Sequence, residues 1–138
     1  MNILSLLMPK TLVAYIEEDD TIRQGLEKMR AHGYTAIPVL SKDGHYVGTV
    51  SEGDFLWHIV DREECSREHQ ETELIRTVMR ENFNPAVKVG VSVEELLERA
   101  MQQNFVPVVD DREFFIGIVT RQSIMKTLAM KKEQSQSK

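Results

Sequence analysis

Two short segments of the chain carry the residue types that could hold a charged ligand. They are Gly48-Thr49-Val50-Ser51-Glu52-Gly53-Asp54 and Gly117-Ile118-Val119-Thr120-Arg121-Gln122-Ser123, and in each a strand pattern ends at a hydroxyl residue where a helical pattern begins. A helix that starts directly after a strand leaves free amide donors and the positive end of its dipole facing whatever lies beyond, which suits an anion. One turn further in, Asp54 is placed to accept hydrogen bonds from two vicinal hydroxyls, such as those of a ribose. The same residues also form an ordinary N-cap pattern, with Ser51 and Thr120 as caps and Asp54 and Ser123 completing them. These positions alone leave both readings open. The segments are not equivalent: Glu52 at the first helix start disfavours a phosphate, whereas Arg121 at the second is a fixed cation suited to one. Ser123 stands where the first segment has its carboxylate.

Other reactive constellations are missing. The chain has no G-x-S-x-G, H-E-x-x-H or C-x-x-C pattern. Gly48 and Gly53 have the glycine spacing of a phosphate-binding loop, but Asp54 stands where that loop needs its lysine. His58, Cys65 and His69 could gather as metal ligands, with Cys65 and His69 on one helix face, but no fourth ligand is evident. The expectation is therefore no catalytic residue and no metal site.

The elements around these segments occur twice. Thr21 and Gln24, like Ser92 and Glu95, form a capping-box pattern ahead of an apolar helix stripe, at an offset of 71 residues, and Met8 and Met79 share that offset. Ile37-Pro38-Val39 answers Val106-Pro107-Val108, and Gly48-Thr49-Val50-Ser51 answers Gly117-Ile118-Val119-Thr120, at an offset of 69. A two-residue deletion opposite Thr35 and Ala36 reconciles the offsets and makes Phe105 the counterpart of Tyr34. Each copy reads strand, helix, strand, strand, helix. The first strands are expected at 11–15 and 86–91, and the hairpin strands at 36–40 and 46–50 around an Asp43-Gly44 turn. The last helices are expected at 53–59 and 122–128. A copy of this size buries little surface alone, so two should pack face to face as one pseudo-twofold α/β (α+β) module. The expected layout is 1–60 for the first repeat, 61–73 for a connecting segment, 74–130 for the second repeat and 131–138 for a disordered tail.

Composition narrows the partners. The 138 residues are 41% apolar and 28% charged, with a formal net charge of -5, so a general attraction to nucleic acid or to an anionic membrane is not expected. Most of that charge sits in the connecting segment, where six acidic residues face two basic ones. No apolar run is long enough for a membrane helix, no charged leader precedes the apolar start, and the one cysteine fits a reducing compartment. A cytoplasmic protein is expected.

The duplicated order of elements, with Tyr34-x-x-Ile37-Pro38-Val39 before one hairpin and Gly48-h-h-Ser51-x-x-Asp54 after it, resembles a pair of cystathionine β-synthase (CBS) domains, the Bateman module. The resemblance spans 4–128. It implies an adenine nucleotide (AMP, ADP, ATP or cyclic di-AMP) as a regulatory ligand rather than a cofactor. The base would lie near Tyr34, Ile37 and Pro38 and near Phe105, Val106 and Pro107, although these are also ordinary core strand residues. Ser51 and Thr120 would meet phosphate or ribose, Asp54 the ribose diol, and Arg121 phosphate, with Ser123 in the place of the second carboxylate. Asn104-Phe105-Val106 and Thr120-Arg121 are similar to a stand-alone CBS subgroup of Gram-positive bacteria that binds cyclic di-AMP. The resemblance further implies a homodimer, for which Phe55, Leu56, Ile59, Ile124, Met125 and Leu128 offer apolar surface, and an unidentified effector protein as the output. The rival is a purely structural homodimerisation module with no nucleotide.

Overall fold

The computed structural model describes residues 2–61 and 67–136. The chain is mixed α and β: α1 (Ile3–Leu6), β1 (Met8–Pro9), a 3-10 turn (Lys10–Leu12), β2 (Ile16–Glu17), α2 (Ile22–His32), β3 (Ala36–Leu40), β4 (Tyr46–Ser51), α3 (Glu52–Asp61), α4 (Arg67–Thr72), a second 3-10 turn (Ile75–Thr77), β5 (Val87–Lys88), α5 (Val93–Gln102), β6 (Phe105–Val109), β7 (Phe115–Thr120) and α6 (Arg121–Gln136). It divides into two compact units, one of residues 14–85 and one of residues 1–13 with 86–138. The units therefore do not simply follow the sequence repeats. The opening segment of the first repeat joins the second repeat's sheet, and residues 74–85 stay with the first repeat's.

In the unit of residues 14–85 the sheet order is β2-β3-β4, with β2 parallel and β4 antiparallel to β3. Pro38 is tolerated in the middle strand because β2 pairs only from Val39 onward, so its missing N–H costs no ladder bond. Ile16, Ile37, Val39, Val50, Phe55 and Ile75 form the core. Thr21 and Gln24 make the full capping box at the start of α2, and Gly33, at φ 67°, supplies the left-handed residue that ends it. The stretch after α4 is sewn on by backbone bonds, Ile22 N to Glu73 O at 2.9 Å and Ile75 N to Asp20 O at 2.8 Å.

The other unit repeats the hairpin residue for residue. Phe105 to Val109 pairs with Phe115 to Thr120 as Ala36 to Leu40 pairs with Tyr46 to Ser51, and both ladders bulge just before their last pair. Its sheet has four strands, β1-β7-β6-β5, because Met8 and Pro9 add an edge strand against Ile118 and Gly117. The core is Ile3, Leu6, Val87, Leu96, Val106, Val108, Val119 and Ile124. Ser92 caps α5 by accepting from the Glu95 amide, while the Glu95 carboxylate lies 3.6 Å from Arg99 rather than turning back. The second hairpin turns without glycine: Asp110 accepts from the amides of Arg112 and Phe114, and Glu113 takes the left-handed position at φ 70°.

Three sequence expectations are corrected. The strand expected at 11–15 is a 3-10 turn closed by Val13 N to Lys10 O, and the strand begins at Ile16, whose buried side chain pairs with Val39. The strand at 86–91 is only Val87–Lys88, cut short where the Val91 amide turns onto the Lys88 carbonyl. Phe105 is not the counterpart of Tyr34: it pairs with Thr120 as Ala36 pairs with Ser51, so the deletion falls earlier, where α2 and its glycine cap outrun α5. In addition, α6 continues past residue 128 to Gln136. Most of the connecting segment, with Cys65, lies outside the described residues.

Candidate functional site

The strand β4 delivers Ser51 directly into α3, and Asp54 closes back over that junction. Its Oδ2 accepts from the Ser51 amide at 2.8 Å and from the Ser51 hydroxyl at 3.1 Å, which makes a capping interaction between the two residues. The carboxylate is almost fully buried, its side chain 4% exposed, and its remaining oxygen is met by Arg80 Nε at 2.6 Å. Arg80 reaches 3.4 Å from the Ser51 hydroxyl, and its guanidinium carbon sits over the Phe83 ring, 3.7 Å from its centre. These groups, with Gly53, Trp57, His58, Thr77 and Val78, line an open cleft of about 300 Å³. His58 Nε2 is 2.6 Å from a carboxylate oxygen of Glu73 at the side of this cleft.

Behind the cleft, β4 carries a buried polar cluster. Asn84 donates through its side-chain amide to the Thr49 hydroxyl at 3.1 Å, Thr49 and Tyr46 hydroxyls are 2.7 Å apart, and Tyr46 donates to the Asn84 carbonyl at 2.6 Å. Asn84 holds the left-handed conformation, φ 58°, that closes this circuit. Burial pushes the Tyr46 phenol well above its ordinary pKa, with the Thr49 hydrogen bond opposing the shift.

The matching junction of β7 and α6 is uncharged. Ser123 N donates to the Thr120 hydroxyl at 3.1 Å, and the Ser123 hydroxyl lies 2.9 Å from the Thr120 carbonyl and 3.4 Å from the Leu6 carbonyl. Arg121 does not join them. Its Nε donates to the Ala100 carbonyl at 2.6 Å and its terminal amine to the Met101 carbonyl at 3.0 Å, so the guanidinium caps the end of α5. It borders an apolar groove of about 430 Å³ with Leu97, Ala100, Met101, Ile124 and Met125.

The expected residues thus separate. Ser51 comes together with Asp54, and Thr120 with Ser123. Tyr34 lies elsewhere, in a groove of about 500 Å³ between α2 and α3 with Leu26, Met29, Arg30, Glu52 and Phe55. Ile37 and Val106 are 0% exposed core residues, and Pro38 and Pro107 are buried beside them, while Phe105 is half-buried at its strand start. Arg121 donates to a helix terminus instead of joining Thr120 and Ser123. Arg80 is the residue that sequence reading missed; its one signal is the position directly after Met79, the counterpart of Met8. Of the apolar helix residues, Phe55 and Ile124 are consumed internally, whereas Leu56, Ile59, Met125 and Leu128 stay exposed, joined by Trp57 at 63% and Val60 at 61%.

Among the described residues no group of His, Cys, Asp and Glu is arranged to hold a metal; Cys65 and the His69 side chain lie outside them. No described helix is long and apolar enough to cross a membrane.

The sequence profile of the CBS domain matches residues 7–61 and again 75–130. Among curated proteins the chain is 26% identical to an uncharacterised protein of Methanocaldococcus jannaschii, covering 88% of each. It is 25% identical to cyclic di-AMP receptor B of Bacillus subtilis over 84% of this chain and 78% of that protein. A crystal structure of CbpB in complex with c-di-AMP superposes with a TM-score of 0.92 at 20% identity, covering 99% of this chain and 90% of that one, which establishes likeness of fold.

Proposed function

The chain belongs to the CBS-domain family as a tandem pair, and from that premise we propose that it is a regulatory module that binds an adenine nucleotide, AMP, ADP, ATP or cyclic di-AMP, without transforming it. The observation that carries this reading is the Asp54 carboxylate, buried, fixed by Ser51 and bordering an open cleft. A carboxylate so held is a preorganised acceptor for a ribose diol, since its orientation needs no further ordering on binding. The name of the Bacillus subtilis relative, a cyclic di-AMP receptor, supports cyclic di-AMP as the first nucleotide to try. The module's output is a change in a partner protein rather than a chemical product. The compartment is cytoplasmic, where such nucleotides are found.

A second reading is favoured by one observation: Leu56, Trp57 and Val60 form exposed apolar surface on α3, as Met125 and Leu128 do on α6. These surfaces suit a homodimer, with or without a ligand. Calorimetric titration of the purified protein with cyclic di-AMP, AMP and ATP, alongside its mass by light scattering, tests both. Binding of at least one nucleotide supports the sensor. A dimer that binds none of them supports the structural module and overturns the sensor.

A further inference from the structure

We propose that Arg80 is the residue by which the cleft of the first repeat selects a phosphorylated riboside over the free nucleoside, and that in the empty protein it acts as a place-holder on Asp54. This inference rests on the nucleotide reading above and adds to it the group that reads the phosphate.

The argument starts from charge. Asp54 borders the cleft and Glu52 begins the same helix, so without a nearby cation this end of α3 would repel a phosphate. Arg80 supplies that cation. Its Nε lies 2.6 Å from Asp54 Oδ1, its terminal amine reaches toward the Ser51 hydroxyl at 3.4 Å, and the side chain is still 54% exposed. A guanidinium has five N–H donors, so the contacts to Asp54 and Ser51 leave an edge available to a phosphate. The guanidinium carbon rests 3.7 Å from the centre of the Phe83 ring, a contact that with the Asp54 ion pair restrains the side chain, so ligand binding need not order a fully flexible chain.

The same geometry sets up a competition. A ribose diol that approaches Asp54 meets an oxygen already paired with Arg80. A nucleoside must weaken that ion pair with nothing to offer the arginine in return. A nucleotide brings a phosphate to which the guanidinium can turn, so the cost of loosening the pair is offset within the same complex. Arg121, the cation expected from the sequence to do this, belongs to the other unit, where it donates to the α5 carbonyls. The second repeat has no equivalent device, because Pro9 and Ser123 stand at the positions of Arg80 and Asp54.

The test is titration of wild type, Arg80→Ala and Arg80→Lys with AMP, cyclic di-AMP and adenosine. Arg80→Ala should weaken AMP and cyclic di-AMP by about tenfold or more, the size of a charge-assisted hydrogen bond, and leave adenosine unchanged or tighter. Arg80→Lys should recover only part of the loss, because an ammonium keeps the charge but not the fork. Because Arg80→Ala strips the partner from a buried carboxylate, its melting curve is recorded, and the double variant Arg80→Ala/Asp54→Asn provides a charge-balanced background in which adenosine should still bind better relative to AMP than in wild type. Equal losses for adenosine and AMP in Arg80→Ala, or no loss for either, overturn the role of Arg80 while leaving nucleotide binding intact. A wild-type protein that binds none of the three ligands overturns the nucleotide reading and this inference with it.

Discussion

The two repeats share a hairpin register and a bulge position, yet the one built on β3 and β4 is polar inside where its counterpart on β6 and β7 is apolar. Tyr46 and Thr49 correspond to Phe115 and Ile118, and Asp54 to Ser123. Runs of consecutive buried, mostly aliphatic residues along the strands are enough to specify the hairpin in both units. Residues at the strand end and first helical turn are therefore not needed to specify it, and there the two copies differ, with a buried carboxylate at Asp54 and a hydroxyl at Ser123.

The glycines at the bulge offer the strongest way to break the parallel. Gly48 and Gly117 have nearly the same backbone, φ 159° and 155°, but a Cβ on Gly117 would run into the Met8 carbonyl and Leu7, whereas one on Gly48 meets only the flexible end of Met79. Gly117→Ala should cost about 3 kcal/mol, because a paired backbone must move, and Gly48→Ala about 1 kcal/mol. Urea unfolding of both variants measures this, and equal losses would show that the opening segment yields as easily as a methionine side chain.

The polar circuit comes next. Thr49→Ile imitates the other unit at one position and should destabilise by about 2 kcal/mol, since it removes the hydroxyl that bonds both the Tyr46 phenol and the Asn84 side-chain amide. Tyr46→Phe should cost less in this background than in wild type, because the Tyr46–Thr49 contact is already gone. Thermal unfolding of the single and double variants gives the coupling directly.

Alkaline pH sharpens the comparison in a smaller step. The Tyr46 phenol is favoured in its neutral form when folded, its pKa raised from the ordinary 10.0 by burial. Its contribution to stability is fully present below pH 10.0 and is lost as pH rises from there toward the folded value. The slope is about 1.4 kcal/mol per pH unit. Tyr46→Phe should flatten this part of the stability profile, and an unchanged slope would place the titration elsewhere.

The smallest expected effect belongs to Arg121. Arg121→Ala removes two hydrogen bonds to the end of α5 and should cost about 1 kcal/mol of stability. Nucleotide affinity should hold within about twofold, in contrast to Arg80→Ala. A selective loss of nucleotide binding on Arg121→Ala would return the arginine to the role that its sequence position suggested.

Sequence was a good guide wherever a local rule acts. The capping box at Thr21, the hairpin strands and the Ser51–Asp54 junction all follow from residue types a few positions apart. It was a poor guide wherever partners are distant in the chain. Arg121 beside a helix start reads as a phosphate ligand, and nothing near it in the chain signals that it donates to the carbonyls of Ala100 and Met101. Arg80 has a proline, Pro9, as its counterpart and meets Asp54 only through the fold. Ile37 and Val106 illustrate a third case, in which a family motif marks strand positions whose side chains are wholly taken up by the core.

The division of the chain into a continuous unit, 14–85, and an interrupted one, 1–13 with 86–138, also fixes an order of events during synthesis. Met8 and Pro9 leave the ribosome well before Ile118 and Gly117 and must wait for them before they can pair. The continuous unit can collapse in the meantime, and by doing so it shortens the effective loop across which the waiting segment must close, which lowers the entropic cost of that late step. Until then the apolar Ile3, Leu6 and Leu7 travel uncovered, a period in which a chaperone or a second nascent chain competes with the protein's own C-terminal half.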